Sequence, residues 1–448
     1  MAVSNCEFAD REFVDRRAES DESRRSLGGL FNCAGGARRI VSKGRGRGFV
    51  AFAIALSAAP VRAEEEPSSL PLGIEVHGFA SQGFIYTTAN QFLAESDQGS
   101  FEFTEVGLNF TKQLTDEFRF GAQLFVRDLG PIGNYKPVFD WFYIDYHFFD
   151  WFGLRAGRTK LPFGLYNETS DIDAARAPIL LPQAMYSARN RDWLLAQTGF
   201  EAYGYLSLAA AGALDYRLFG GTIYFEPPYP QANVDYSLPY VVGARALWST
   251  PINGLSAAFS ALALRLNQDA YLEAEDVTAL QTAGVLDADY ENPIELGLPI
   301  KVWAASLEYL ADDLSLAAEY TRLSTHYEIS EPKLDALLFP AGVPYPIYGK
   351  SYYVMASYRV APWFTPGAYY SVNVPNVDLP ARRDRRLDDV ALFVRYDLNA
   401  HLLVKLEAHY MSGTAGLEPK LNGLETEDEL KSLTKVWGAF LFKTTGYF

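Results

Sequence analysis

Cysteine, histidine and long apolar runs are all scarce in this 448-residue sequence. Its two cysteines, Cys6 and Cys33, lie within the first 63 residues, which excludes disulfides, thiolate catalysis and cysteine-based metal sites from the rest of the chain. The five histidines include no pair at the spacing of a helical metal site. No apolar run reaches the eighteen residues that a membrane-spanning helix needs. We therefore expect no metal site, no cofactor and no catalytic site.

Basic residues are also in deficit, whereas aromatic residues are abundant. The formal net charge of −16 argues against a nucleic-acid partner, because phosphate binding needs an excess of Lys and Arg. Aromatic residues make up 15% of the chain, with 28 Tyr, 30 Phe and 7 Trp. That abundance is typical of β-strands and of the aromatic girdles of membrane barrels.

The first 63 residues have the pattern of a leader. Residues 41–63 contain a basic segment with Lys43, an apolar segment from Phe49 to Leu56, and a small-residue cleavage site ending at Ala63. This pattern predicts a secretory signal peptide, with a short buried helix as the alternative. Because signals stand at the extreme N-terminus, we interpret residues 1–40 as a mis-assigned or disordered extension, with the true translation start at Val41. Residues 64–448 are then the exported domain.

From residue 72 onward, apolar and polar residues alternate in short segments. One such strand is Asp388–Asp397, where four apolar residues alternate with a mixed set, namely Val390, Leu392, Val394 and Tyr396 against Asp389, Ala391, Phe393, Arg395 and Asp397. Sixteen segments of this kind are predicted, joined by seven short turns and eight long loops. Two details are a bulge near Thr104–Val106 and a short helix near Asp276–Ala283, within a loop spanning 267–299.

The even strand number and the unequal connections predict an all-β fold. We expect a transmembrane antiparallel β-barrel of about 16 strands, with short periplasmic turns and long extracellular loops. Its apolar side chains would face lipid and its polar side chains the lumen. A soluble sandwich would bury the apolar face instead, and alternation alone does not separate the two. The aromatic content, the signal peptide and the C-terminal Phe448 favour the barrel.

The segment from 138 to 191 organises the prediction. Two strands, Phe139–Tyr146 and Leu154–Lys160, form a hairpin, and a loop at about 162–198, rich in Pro, Asn, Asp and Arg, follows them. Strict alternation places Asp140 on the same strand face as Phe142, opposite the face of Trp141.

These residues resemble the phosphate-selective porin O and P family of bacterial outer-membrane proteins. The resemblance rests on three stretches, Asp140-Trp141-Phe142-Tyr143-Ile144-Asp145-Tyr146, Gly153-Leu154-Arg155-Ala156-Gly157-Arg158-Thr159-Lys160-Leu161-Pro162-Phe163-Gly164-Leu165-Tyr166-Asn167-Glu168, and Pro251-Ile252-Asn253-Gly254-Leu255. It implies a sixteen-stranded porin, often trimeric, located in the outer membrane. It also implies that the loop at 162–198 narrows the pore.

Charged residues of this loop and of nearby strands are the candidate site residues. The candidate constriction residues are Arg155, Arg158, Lys160, Glu168, Asp171, Asp173, Arg176, Arg189 and Arg191. The candidate basic residues of the pore wall are Arg119, Arg217, Arg245, Arg359, Arg395 and Lys405. Alternation lets Arg155, or Arg158 with Lys160, face the lumen, but not all three. An inward ladder of cations would concentrate anions. In the alternative interpretation, these cations neutralise inward acids such as Asp215, Asp397 and Glu407.

The predicted function is passive diffusion of small hydrophilic solutes, with a mild preference for anions such as phosphate. A plugged structural or adhesive barrel, whose long loops bind a partner, is the alternative. The expected partners are outer-membrane lipid, lipopolysaccharide, small hydrophilic solutes and two further copies of the chain in a homotrimer. The arginine-rich loop Arg382–Arg386 is a candidate contact for anionic lipid headgroups.

Overall fold

The computed structural model describes residues 69–70, 73–224, 227, 229, 233–290, 292–331, 333 and 346–448. The predicted N-terminal extension, residues 1–40, and the predicted signal peptide, residues 41–63, lie outside the described residues. Within the described part, no helix is long and apolar enough to cross a membrane.

The described part of the chain forms one antiparallel sheet. Its strands are β1 (Ser69–Leu70), β2 (Ile74–Thr87), β3 (Phe103–Gln113), β4 (Phe118–Leu129), β5 (Val138–Phe149), β6 (Phe152–Lys160), β7 (Ala196–Ser207), β8 (Ala213–Ile223), β9 (Val234–Ser249), β10 (Leu255–Ala270), β11 (Ile294–Ala311), β12 (Leu314–Thr325), β13 (Glu328–Ile329), β14 (Ile347–Tyr358), β15 (Phe364–Val374), β16 (Leu387–Asn399), β17 (Leu402–Gly413) and β18 (Val436–Tyr447). The helices are α1 (Arg191–Leu194) and α2 (Ala274–Thr282), and the 3₁₀ turns are Asn167–Thr169, Asp173–Ala175, Ala188–Asn190, Ala209–Ala211, Lys420–Asn422 and Glu427–Ser432.

Sixteen of these strands close into a barrel, whereas β1 and β13 are two-residue additions. Strand β18 pairs with β2 from Ala439 opposite Thr87 to Tyr447 opposite Phe79. The backbone N–H groups of Gly78 and Phe448 each donate to the other residue's carbonyl, at 3.1 and 3.0 Å. Closure leaves no open edge among the long strands, as a structure in hydrocarbon requires. The predicted sixteen-stranded barrel is confirmed.

The two faces of each strand differ as a membrane barrel requires. In β17, Lys405 and Glu407 are 0% and 3% exposed, whereas Leu406 and Tyr410 are 46% and 58% exposed. Charged side chains therefore lie inside the barrel and apolar side chains lie outside, which is the inverse of a soluble core.

The longest strands reach further than the sequence pattern indicated. Strand β10 continues to Ala270 and β11 begins at Ile294, so the loop between them spans only 271–293. Asp269 lies opposite Glu295 in this extension. The outward face of the ribbon is polar there, with Asn267, Asp269 and Glu295, so the outward apolar residues that mark a lipid-contacting strand are absent.

The predicted bulge near Thr104–Val106 is wrong, because β3 pairs with β4 without a register shift. A bulge lies instead in β5, where Gln123 is opposite Trp141 and the next residue, Leu124, is opposite Phe139. Asp140 is the extra residue. It is 3% exposed and points into the lumen, not toward the side of Phe142. Burial in the lumen lets the carboxylate find a cation, whereas the lipid face offers none.

A charge on the outer face destabilises the barrel. Leu392, near the middle of β16, is 62% exposed and faces outward. We expect Leu392→Arg to lower the free energy of unfolding by about 2–4 kcal/mol, because arginine must enter the hydrocarbon. Denaturant titration of the barrel refolded in lipid vesicles measures this change. Leu392→Met is the matched control, and an equal effect of both substitutions contradicts the assigned face.

Candidate functional site

The loop between β6 and β7, residues 161–195 and here named L3, lies inside the barrel. Its Gly164 N–H donates to the hydroxyl of Ser260 on β10 at 3.1 Å. On β17, the Lys405 ammonium donates to the carbonyl of Asp173 at 2.6 Å. L3 therefore crosses the lumen and bonds to well-separated walls. It ends at 195 instead of 198, because β7 begins at Ala196.

Glycine is required where L3 enters the lumen. Gly164 has φ +64°, and a Cβ placed there would lie 2.4 Å from the hydroxyl oxygen of Tyr186. That hydroxyl accepts from the N–H of Leu165 at 2.9 Å and donates to the buried carboxylate of Glu319 on β12. The Tyr353 hydroxyl donates to the same carboxylate at 2.6 Å. Glu319 thus holds the first turn of L3 with neutral donors.

Glu168 of L3 lies between two arginines of the barrel wall. Its carboxylate oxygens are 2.8 Å from an Nη1 of Arg217 on β8 and 3.0 Å from that of Arg245 on β9. Burial by itself raises the pKa of Glu168, but the two guanidinium groups outweigh it and hold the pKa below its ordinary value. Glu168 is therefore ionised and cancels part of the charge of both arginines.

Arg155 occupies the wall between two acids. Its guanidinium is 3.2 Å from Asp145 and 2.9 Å from Glu201, and it lies 4.4 Å from the ring centre of Tyr203. Arg119 stands directly opposite Asp145 across the β4–β5 ladder. The acids in this part of the wall were not among the sequence candidates, although their inward position follows from strand alternation.

Lys160 and Asp171 form a second anchor within L3. The ammonium is 2.7 Å from the Asp171 carboxylate and donates to the carbonyl of Glu168 at 2.6 Å. Gln123 of β4 donates to the other oxygen of Asp171 at 2.9 Å. Arg155 and Lys160 both face the lumen. The prediction from strand alternation, that either Arg155 or the pair of Arg158 and Lys160 faces the lumen, is therefore wrong. Lys160 ends its strand, where the chain is free to redirect its side chain.

Asp173 is a fully buried charge of L3. Its carboxylate is 3.1 Å from Lys405 and 3.4 Å from Lys443, and it accepts from the Thr445 hydroxyl at 2.7 Å. Arg176 lies 3.6 Å away. Asp173, Lys405 and Lys443 have side-chain exposures of 0%. Lys443 was missed by the sequence analysis, although it alternates with the outward residues of the last strand.

The far end of L3 is bound by a third set of ion pairs. Arg191 is 3.1 Å from Asp140, the bulge residue of β5. Arg127 of β4 is 2.8 Å from Asp192. The remaining two candidates are also paired, Arg189 with Glu418 at 3.1 Å and Arg158 with the carbonyl of Asp140 at 2.8 Å.

The wall candidates divide into two groups. Four contact L3, namely Arg217, Arg245, Arg395 and Lys405. The other two lie elsewhere: Arg119 faces Asp145, and Arg359 pairs with Asp313 at a short turn, at 2.8 Å. The sequence therefore identified wall positions that meet the loop, but it did not distinguish them from positions at the barrel end.

Two further loops also fold inward. Residues 88–102 (L1) and 414–435 (L8) place Phe92, Leu417 and Leu430 in an apolar cluster with Ile179 of L3 and Trp437 of β18. The sequence pattern predicted both segments as long extracellular loops and did not indicate that they enter the lumen. Apolar side chains on the inner face of the wall let these loops dock, so the lumen is not uniformly polar.

A cavity of about 360 Å³ remains between these loops and the wall. One side is apolar, lined by Phe163, Leu262, Leu264, Ile300, Val302 and Leu323. The other side carries polar groups, among them Gln183, Arg189, Ser351, Asn373, Asp389 and Glu418. The cavity is large enough for several water molecules or one small solute.

The Asp173 cluster is expected to contribute strongly to stability. Asp173→Asn leaves the buried Lys405 ammonium without its counter-charge and removes one of the two acids beside Lys443, which keeps its pair with Glu105. We therefore expect the free energy of unfolding to fall by about 3–5 kcal/mol. Denaturant titration in detergent or vesicles measures it. The control is Asp428→Asn, which removes an exposed pair with Lys431 and is expected to cost less than about 1 kcal/mol. Equal costs for the two variants contradict the anchoring role.

Glu168 is expected to set the charge balance of the constriction. Glu168→Gln removes one negative charge beside Arg217 and Arg245, and a unit charge about 8 Å away in water is worth about 0.5 kcal/mol. Because the anion gains this energy and the cation loses it, we expect the anion-to-cation permeability ratio to rise about fivefold at low salt. Reversal potentials under a salt gradient measure the ratio, with the exposed loop variant Glu425→Gln as control. A shift toward cations contradicts the assignment.

Comparison with known proteins agrees with this architecture. Residues 84–179, which include β3 to β6 and half of L3, match the family model "Phosphate-selective porin O and P". No match is found among curated proteins. Two similar solved structures are the outer-membrane protein OmpT of Vibrio cholerae and the outer membrane channel DcaP of Acinetobacter baumannii. OmpT is 10% identical with a TM-score of 0.52, covering 84% of this chain and 97% of that protein. DcaP is 13% identical with a TM-score of 0.50, covering 86% and 100%.

At these identities the solved structures bear on the fold, and the matched segment bears on the family. The resemblance inferred from the hairpin and the start of L3 is confirmed by the family match. The chain is a closed β-barrel with the fold of outer-membrane channels, and its residues 84–179 match the phosphate-selective porin O and P family.

Proposed function

We propose that the protein is a channel for passive diffusion of small hydrophilic solutes across the bacterial outer membrane, and not an enzyme. The observation that carries the proposal is the placement of L3, which crosses the lumen of a closed barrel and brings charged residues to its narrow part. Selection in such a pore needs fixed charges at a constriction and no reacting group.

Charge selectivity is proposed to be weak. The cations that contact L3 meet acids or carbonyl oxygens, as Glu168 does with Arg217 and Arg245. This pairing favours the interpretation that the basic residues neutralise inward acids. A mild preference for anions such as phosphate stays a prediction. It requires a net positive potential in the lumen after the basic residues have been paired with acids.

A homotrimer is proposed for the assembled channel. A row of polar residues crosses three adjacent strands on the outer face, formed by Thr444, Gln82 and Thr104 in direct cross-strand register. The row ends at β4, where Asp128 is opposite Thr104 but is only 7% exposed. Polar side chains facing hydrocarbon are costly, and a neighbouring subunit would cover them. The outer face of β16 and β17 carries leucine, valine and tyrosine instead. Outer-membrane lipid and lipopolysaccharide are proposed to surround the remaining surface.

The plugged barrel is the second candidate. Its support is the inward packing of L1 and L8 onto L3, with Phe92, Leu417 and Leu430 nearly inaccessible to solvent. In that case the loops would serve a structural or adhesive role and the lumen would not conduct.

Single-channel recording separates the two candidates. Residues 64–448, refolded and inserted into a planar bilayer, are expected to give discrete conductance steps, in coupled sets of three if the assembly is a homotrimer. Reversal potentials near zero under a salt gradient are expected if selectivity is weak. Heat-modifiable gel mobility verifies folding, and a folded protein that inserts without conductance supports the plugged barrel.

A further inference from the structure

Three basic side chains stand side by side on the outer wall of the barrel, on the side away from the polar row. They are Lys301 on β11, Arg322 on β12 and Lys350 on β14. Alternation places them outside, in line with outward residues such as Trp303 and Val354, which are 38% and 55% exposed. These three residues are here named the outer-wall cation row.

Like charges oppose each other within this row. Arg322 is directly opposite Lys350 across the β12–β14 ladder, and Lys301 is opposite Ser324, two residues beyond Arg322 on the same face. Like charges at directly opposed positions destabilise a sheet. A cross-strand pair of this kind is stabilised when an anion lies between its two members.

No acid of the described residues forms an ion pair with the three cations. Arg322 contacts an aromatic ring instead, with its guanidinium carbon 5.7 Å from the ring centre of Tyr348. An acidic row of Asp235, Asp269 and Glu295 lies further out on the same wall. Glu295 is six residues from Lys301, about 20 Å along the strand, so it does not neutralise the cation row.

The height of the row matches the boundary of the membrane. Below it, toward the short turns, the outward residues of β12 and β14 are apolar or aromatic, including Tyr320, Ala318, Leu316, Tyr352, Val354 and Ala356. Trp303 and Tyr320, whose ring centres are 5.6 Å apart, form part of an aromatic girdle there. Because long loops face the outside of the cell, the row lies where the outer leaflet's headgroups begin.

We propose that the outer-wall cation row binds the phosphate groups of lipid A, the membrane anchor of lipopolysaccharide. Lys and Arg at the headgroup level bind phosphate by charge-assisted hydrogen bonds, and Tyr348 and Trp303 pack beside the acyl chains and sugars. The proposal rests on the outer-membrane placement and orientation given under the proposed function. In a homotrimer joined through the β18–β4 side, β11 to β14 face lipid, so the row stays accessible.

The test compares lipopolysaccharide binding to two triple variants. The first is Lys301→Gln/Arg322→Gln/Lys350→Gln. Its control is Arg382→Gln/Arg383→Gln/Arg385→Gln in the loop between β15 and β16, which matches it in charge and is the rival headgroup contact that the sequence offers. Each protein, refolded as residues 64–448 in detergent, is titrated with deep-rough lipopolysaccharide and with the same lipid after enzymatic dephosphorylation. Each cation removed is expected to weaken lipopolysaccharide binding about fivefold, so the first variant is expected to bind roughly hundredfold more weakly. The affinity of the control is expected to be unchanged.

Three outcomes decide the proposal. Weaker binding of the first variant, with little binding of the dephosphorylated lipid to the unmodified protein, supports it. Equal affinities for the first variant and the unmodified protein overturn it, and loss of binding in the control alone assigns the lipid contact to the arginine-rich loop. Single-channel conductance is recorded for every protein. A conducting protein that fails to bind the lipid refutes only the cation row, whereas loss of conductance in the unmodified protein refutes the channel.

Discussion

Hydrocarbon offers no hydrogen-bond partner, and the architecture of this protein depends on that constraint. Every backbone group within the membrane must pair with another strand, so the sheet closes where β18 meets β2. Closure creates an inside and an outside, and the same constraint then sorts the side chains. Charges such as Lys405 and Glu407 are accommodated only within the lumen, while Leu406 between them faces lipid.

The lumen of this barrel is narrowed by L3, which is bound there by the charged side chains of the inner wall. Acids and bases from many strands would repel or desolvate one another if they stood alone, and L3 supplies counter-charges in the places where they are needed. Glu168 serves the arginines of β8 and β9, and Asp173 serves the lysines of β17 and β18. The loop is therefore held at several points. Its anchoring groups also offset charges that a strongly selective pore would use.

The cost of placing polar groups in hydrocarbon also governs the outer surface of the barrel. Two rows of polar residues on that surface call for different partners, the row of Thr444, Gln82 and Thr104 and the row from Lys301 to Lys350. A neighbouring subunit suits the first row, since its groups are uncharged. Anionic headgroups suit the second, since its groups are all cations at the membrane boundary.

The number of strands and the apolar and polar faces were predictable from the sequence, because both depend on local alternation. The family resemblance was predictable because it rests on a short hairpin motif that includes Asp140-Trp141-Phe142. The position of Asp140 itself was not, because a bulge is set by the pairing of two strands and not by either alone. Charged residues of L3 and some of their partners, such as Arg217 and Lys405, were recognised as candidates, but other partners were not. Glu319, Gln123 and Lys443 lie far from L3 in the sequence and reach it only across the closed barrel.

The sequence by itself therefore determined that the chain forms a lipid-facing barrel. A period of two residues separates an apolar face from a polar one, and the even strand number and the aromatic content favour a barrel over a soluble sandwich. Only the tertiary structure decided what occupies the lumen. The inward folding of L1, L3 and L8 depends on contacts between residues up to several hundred positions apart, such as Asn90 with Thr434. No local pattern encodes such contacts, because they form only after the barrel has closed.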